Sequence, residues 1–281
     1  MPASDKPVST TRRGRGRPRI QRSETEVSTV QALDRGLTLL QLLAREGAAN
    51  LSDLSLQAGM PAPTAHRLLS TLLRQQFVDY DETSQLWSIG VQAYSVGTSY
   101  LARTSLVEIA RPIMRVLMED TGETANLAVE DNGYVVFISQ VESNHPIRAY
   151  HRPGSRSHLH ASGIGKALLS MRSRDEVQKS LEKTGLPAFT TQTLSTPTTL
   201  FEDLDRTRQR GWSFDNEEHF EGMRCVAAPI LDARGEPVAG VSVSGPSTRF
   251  PDEMISRIGP VVTTAARQIS EALGALVNHP R

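Results

Sequence analysis

Hydrophobic positions recur along this chain with two different periods, and the change from one to the other divides it. From residue 31 to residue 45, Leu33, Leu37, Leu40 and Ala44 return every three or four positions, which predicts one face of a helix ending before Gly47. Ser52 then reads as the N-cap of a short second helix, with Leu51 and Leu56 in hydrophobic-staple positions and Gly59 closing it in the left-handed conformation. The stretch GMPAPTAHRLLSTLLRQQF follows. Gly59-Met60-Pro61 predicts a tight turn, and Pro63 suits the first position of a third helix, where its missing N–H costs nothing. Ala65, Leu68, Leu69 and Leu72 form the apolar stripe of that helix, and Arg67, Ser70, Thr71 and Arg74 form the opposite one. The period then drops to two. Val78 and Tyr80, and after a polar turn at 81–84 Trp87 and Ile89, alternate with polar residues as in a hairpin.

The order helix, helix, turn, helix, hairpin is that of a winged helix-turn-helix, whose third helix offers its N-terminal residues to base edges in a DNA major groove. Residues 31–90 are therefore expected to form a DNA-binding domain. Helical spacing returns over 91–121, where Leu106, Ile109, Ile113 and Leu117 mark one face and Pro112 a start or a kink, so this segment is expected to be a linker helix. From Thr124 the texture is mixed α/β. TANLAVE and YVVFISQVE read as strands joined at Asp131-Asn132-Gly133, a strong hairpin signal. A loop with His151, His158 and His160 is expected next, then helices from about Ser162, near 175–184 and over 200–210. CVAAPIL and VAGVSVSG read as a second strand pair. A long helix closes the pattern, with Ile255, Ile258, Val262, Ala265, Ile269 and Leu273 on one face and a bend expected at Gly259-Pro260.

Charge adds a fourth segment. The 281 residues balance to zero net charge, yet residues 1–23 hold seven Lys and Arg against Asp5 alone. Residues 1–30 lack aromatics and are rich in Ser, Thr, Pro, Gly and Arg, the composition of a disordered basic tail. Its RGRPR core looks like an AT-hook, in which Arg15, Arg17 and Arg19 would enter a narrow minor groove; a plain phosphate-binding tail is the alternative. Either reading puts the tail beside double-stranded DNA. No apolar run approaches the ~20 residues of a membrane span, and the charged N-terminus lacks the apolar core of a secretory signal. Cys225 is the one cysteine, so no internal disulfide can form. A cytoplasmic protein is expected.

Candidate chemistry lies in residues 122–281. Cys225 could be a nucleophile, but no base and orienting partner are recognisable near it, and a lone cysteine in an apolar strand is more often packing. GIGKALL fails the phosphate-loop pattern, because His160 stands where its first glycine belongs and Ala167 where Ser or Thr would meet magnesium. His158 and His160 lack a carboxylate at metal-ligand spacing. Neither catalytic residues, a metal nor a cofactor are expected. A small-anion pocket is better supported. HASGIGKALL starts a helix at Ser162, Gly163, Ile164 and Gly165, where free N–H groups and the helix dipole favour a carboxylate. Ser242 and Ser244 are two apart, so both hydroxyls face one side of a strand.

The blocks RGLTLLQLL, QAGMPAPTAHRLLSTL, TGETANLAV, LHASGIGKALL, FDNEEHFEGMRCVAAPI and VSVSGPSTR, in this order from about Val30 onward, resemble the IclR family of bacterial transcription regulators. The resemblance implies an α+β chain with an N-terminal winged helix-turn-helix, a linker helix and a C-terminal GAF-like effector domain, working as a homodimer or homotetramer on an operator. The C-terminal blocks look closest to glyoxylate-responsive members. That implies a carboxylate held by the N–H groups of Gly163 and Ile164, with Asp215, Cys225, Ser242 and Ser244 on the remaining oxygens. Wall positions that are apolar in those members map to Ala149 and Ser157, while Met223 keeps bulk, so a wider or more polar pocket is expected. At the DNA end Ala62-Pro63 replaces more polar residues, leaving Thr64, His66 and Arg67 as the main readers with Ser70 beside them. Two alternatives remain beside a glyoxylate sensor: an enzyme using Cys225, and a family member that senses a larger or aromatic acid.

Overall fold

A computed structural model describes residues 30–102 and 106–275. The arginine tail, with Arg15, Arg17 and Arg19, lies outside the described residues. The chain divides into two compact units that meet in sequence between Gly97 and Thr98.

The first unit is built in the expected order: α1 (Gln31–Glu46), β1 (Ala48–Ala49), α2 (Leu51–Gln57), α3 (Ala62–Arg74), β2 (Val78–Asp81), β3 (Leu86–Ile89) and the start of α4 (Val91–Ala102), a helix that crosses the boundary. Its core gathers Leu39, Leu43, Leu54, Met60, Ala65, Leu69, Val78 and Trp87. Four expectations need correction. The buried face of α1 is Gly36, Leu39 and Leu43, while Leu33 and Leu37 are 62% and 49% exposed. Both sets fit a helical period in this leucine-rich helix, and packing on α2 and α3 chooses between them. The cap of α2 is Asn50, not Ser52. Asn50 Oδ1 accepts from Asp53 N–H at 2.9 Å, one residue before the helix begins. Leu56 is 81% exposed, so it closes no staple. The third helix starts at Ala62, with Pro63 in its second position, also free of any intrahelical acceptor. The hairpin β2–β3 is present and gains β1 as a third strand, giving the order β1-β3-β2.

The expected linker is helical on both sides of residues 103–105. α5 (Leu106–Thr121) carries Pro112 in its interior rather than at its start. It lies wholly in the second unit, which continues with β4 (Thr124–Asp131), β5 (Tyr134–Val141), β6 (Arg156–His158), α6 (Gly163–Ser170), α7 (Arg174–Thr184), α8 (Pro197–Arg210), β7 (Ser213–Asn216), β8 (Met223–Leu231), β9 (Pro237–Pro246) and α9 (Asp252–Ala272). The strands form one antiparallel sheet in the order β6-β5-β4-β9-β8-β7. Asn132 and Gly133 turn between β4 and β5 with φ of 52° and 86°, the left-handed pair that a two-residue hairpin needs. His158 ends β6 and His160 lies in a one-turn helix, so only His151 is in the expected loop. α8 begins at Pro197, earlier than expected, because Thr196 caps it. Four-residue β7 is too short for its period to stand out in the sequence.

The sheet has two unlike faces. Ala125, Leu127, Val226, Ala228, Val241 and Val243 pack against α5 and α9, forming the larger core. α9 runs unbroken through Pro260 and buries five of the six apolar positions expected on its face, Leu273 being half-buried. The opposite face holds Ala128 and Ala227 under α6, but also Asn126, Ser242, Ser244, Cys225 and Asp215. No helix among the described residues is long and apolar enough to cross a membrane.

Candidate functional site

Two surfaces gather the residues singled out by sequence. On α3, Ala65 and Leu69 are fully buried against the first unit's core, while His66, Arg67 and Ser70 are exposed and Thr64 is half-buried. The helix thus docks its leucines and leaves its leading polar edge free. Arg67 makes no ion pair among the described residues, so its guanidinium is available to a base or phosphate. Ser70 is more restricted than expected. Its hydroxyl donates to His66 O at 2.8 Å, which leaves it only lone pairs for a partner.

In the second unit a cavity of about 370 Å³ opens between the polar sheet face and α6. It brings together all the predicted ligand residues. Gly163 and Ile164 stand at its helix end, Asp215, Cys225, Ser242 and Ser244 along the sheet, and Ala149, Ser157 and Met223 complete the wall. Ser162 caps α6 by accepting from Gly165 N–H at 3.4 Å. Gly163 and Ile164 therefore hold the first two N–H groups of the helix, which have no intrahelical acceptor. Two glycines let the helix sit this close. A Cβ on Gly165 would lie 2.2 Å from Leu159 O, and one on Gly163 would lie 2.8 Å from Cys225 Sγ.

The electrostatics narrow what the cavity can hold. Its two arginines already have partners: Arg148 pairs with Glu142 and Arg224 with Asp252. Burial flattens the remaining charges. It lifts the Cys225 thiol to about 12, with the negative field of Asp215 adding to the shift, so the sulfur is protonated and not nucleophilic near neutral pH. His151 lies flat on Phe137, centroids 4.1 Å apart, and burial lowers it to about 4, so its ring is neutral. Asp215 sits opposite Cys225 in the sheet and accepts from Glu218 N–H at 2.8 Å. Burial, then the neighbouring Glu218 charge, pushes it up to about 7. Lys166, next along α6, points away into the interior. It is wholly buried and binds Glu218, Phe214 O and Asp203, so it fixes α6 to β7 and α8 instead of reaching a phosphate. The remaining donors for an anion include the helix N–H groups, the hydroxyls of Ser242 and Ser244, and those of Ser157 and Tyr150.

Sequence reasoning missed the cavity's aromatic and loop wall: Phe137, Tyr150, His151, His219 and Phe220. The loop before β6 is tied in by Gln140, whose amide donates to Ala149 O and accepts from His151 N–H. No local motif marks these residues. His160 stacks on Phe189 and His158 tilts against the same ring, and no cluster of metal ligands occurs among the described residues.

The comparisons settle what this pairing of surfaces belongs to. The IclR helix-turn-helix domain is matched over residues 32–82, and the C-terminal domain of bacterial IclR transcriptional regulators over residues 98–271. The chain belongs to the IclR family. It is 43% identical to the HTH-type transcriptional regulator BhcR of Paracoccus denitrificans, over 92% of this chain and 94% of that one. It is 42% identical to the transcriptional repressor IclR of Escherichia coli, over 93% and 97%, and 40% identical to the repressor AllR of the same species, over 95% and 98%. The crystal structure of Thermotoga maritima IclR superposes with a TM-score of 0.72 at 29% identity, covering 87% of this chain and 99% of that one. As an IclR-family member the chain is a ligand-responsive, DNA-binding transcription regulator and not an enzyme.

Proposed function

We infer that the effector is a small 2-oxo acid, glyoxylate first among them, and that its binding alters operator occupancy at genes of two-carbon or glyoxylate metabolism. The observation that carries this reading is the cavity's pattern of donors: two free N–H groups at the start of α6 facing a wall with two serine hydroxyls, while both lining arginines are engaged elsewhere. A carboxylate suits the helix end and its dipole. Ser242, Ser244, Cys225 and Asp215 are left for the oxo end. A homodimer or homotetramer would set recognition helices in successive major grooves about 34 Å apart, with Thr64, His66 and Arg67 reading bases. The basic tail adds affinity that falls with salt. An effector that prefers one arrangement of the oligomer shifts the population toward it.

The size of the cavity favours a second reading. At about 370 Å³ it falls at the lower end of the range for drug-sized ligands, roughly 300–1,000 Å³, so it has room beyond a two-carbon acid. A longer or aromatic acid against Phe137 and Tyr150 is that alternative. Calorimetric titration with two- to four-carbon oxo acids and with aromatic acids separates the two. We expect micromolar to millimolar binding of a short oxo acid, weakened at least tenfold by Ser242→Ala with Ser244→Ala. Unchanged affinity in that variant, or binding of aromatic acids alone, counts against the short-acid reading.

A further inference from the structure

Behind the serine wall of the cavity lies a side chain that no motif singles out. Asn126, on β4, is fully buried and sits opposite Ser242 in the sheet. Its Nδ2 is 3.4 Å from Ser242 Oγ and 3.2 Å from Ser244 Oγ. An amide nitrogen carries two hydrogens and accepts none, so one hydrogen goes to each hydroxyl oxygen. Each serine therefore accepts at its back, and its own hydrogen must point elsewhere. Cys225, opposite Ser244 in the sheet, brings a sulfur that is only a weak acceptor. The cavity is on that same side.

The cost of this arrangement is visible. Asn126 Oδ1 is buried with no hydrogen-bond partner, while Ala128, two residues along on the same face, is a fully buried apolar residue. An apolar residue would avoid the penalty of an unpaired buried oxygen. Turning the amide over gains nothing, because both Nδ2 hydrogens would then be left unpaired in place of one oxygen. The polar group is thus retained at a site where packing alone favours an apolar one.

We propose that Asn126 is a positioning residue that, by donating to both serine oxygens, fixes Ser242 and Ser244 as hydrogen-bond donors to the cavity and so selects a 2-oxo acid over the 2-hydroxy acid of the same skeleton. An oxo oxygen offers only lone pairs to such a wall. A 2-hydroxyl oxygen can accept from the same two hydrogens only if its own hydrogen turns away from the serines. This deepens the short oxo acid reading and rests on it.

The test is a calorimetric comparison of glyoxylate with glycolate and of pyruvate with lactate, on the full-length protein and on Asn126→Leu, which keeps the side chain's shape. The unmodified protein is expected to prefer the oxo acid of a pair by about tenfold or more, the effect of about one well-placed hydrogen bond. In Asn126→Leu that ratio should fall toward one while the melting temperature reports a folded chain. A general loosening of the pocket would weaken both acids alike and leave the ratio intact, which overturns the proposal. Equal affinity of the unmodified protein for an oxo acid and its hydroxy partner also overturns it, and needs no variant to fold. If no short oxo acid binds at all, the underlying effector reading fails instead.

Discussion

Asp215 shows how one side chain can couple two equilibria. It shares a buried neighbourhood with Glu218, Asp203 and the ammonium of Lys166, with Arg206 and Arg210 also beside Asp203, and burial, then the Glu218 charge, raises its proton affinity until it is half-ionised near pH 7. An anionic effector arriving beside it raises that affinity further. Above about pH 7 the free protein has lost this proton, so binding must recover it, and affinity falls as pH rises. Below about pH 7 the proton is already in place and affinity is level. The expected outcome is a dissociation constant that climbs by up to about tenfold per pH unit between pH 7 and 8.5 and is flat below. Asp215→Asn, neutral throughout, should abolish the slope. A flat profile for the unmodified protein, measured by calorimetry, contradicts this account.

At the scale of elements, α6 depends on how closely its first turn approaches its neighbours. A methyl group on Gly165 would meet the backbone of Leu159 at 2.2 Å, and backbone cannot give way as a flexible side chain can. Gly165→Ala should therefore lower stability by about 1–3 kcal/mol. It should also weaken effector binding, because the N–H groups of Gly163 and Ile164 move with the helix. Denaturant titration and calorimetry of one variant check both effects; an unchanged midpoint with unchanged affinity speaks against the role given to this helix end. Elements with strong local signals were legible in the sequence: the proline-headed α3, the Asn132-Gly133 hairpin and the Ser162 start of α6. What was illegible depends on distant partners. The face of α1 is chosen by α2 and α3 rather than by its own leucine spacing. The hydrogen bonds of Asn126 span 116 and 118 residues to Ser242 and Ser244, and Gln140 works through a loop with no period at all. The residues proposed to meet the ligand were singled out by resemblance to family blocks and by the helix-start pattern and all line the cavity, whereas the aromatic wall had neither guide.

For the whole molecule, stability resides in separate cores. Leu39, Leu43, Leu69 and Trp87 belong to the first unit, and the two clusters on either side of the six-stranded sheet belong to the second. Cooperative unfolding follows contiguous cores, so differential scanning calorimetry should resolve two transitions. Effector at one hundred times its dissociation constant should stabilise the second unit by about 2.7 kcal/mol and leave the first transition where it was. One merged transition that shifts as a whole would show that the units do not melt independently.

The unlike faces of the sheet carry a consequence for how such a sensor diversifies. Alternate residues of the same strands serve opposite masters: Val241 and Val243 hold α5 and α9 in place, while Ser242 and Ser244 line the cavity. Mutation can retune the menu of recognised compounds at every second position while the intervening ones keep the scaffold shut. Lineages of this architecture can therefore change diet without first accumulating spare robustness.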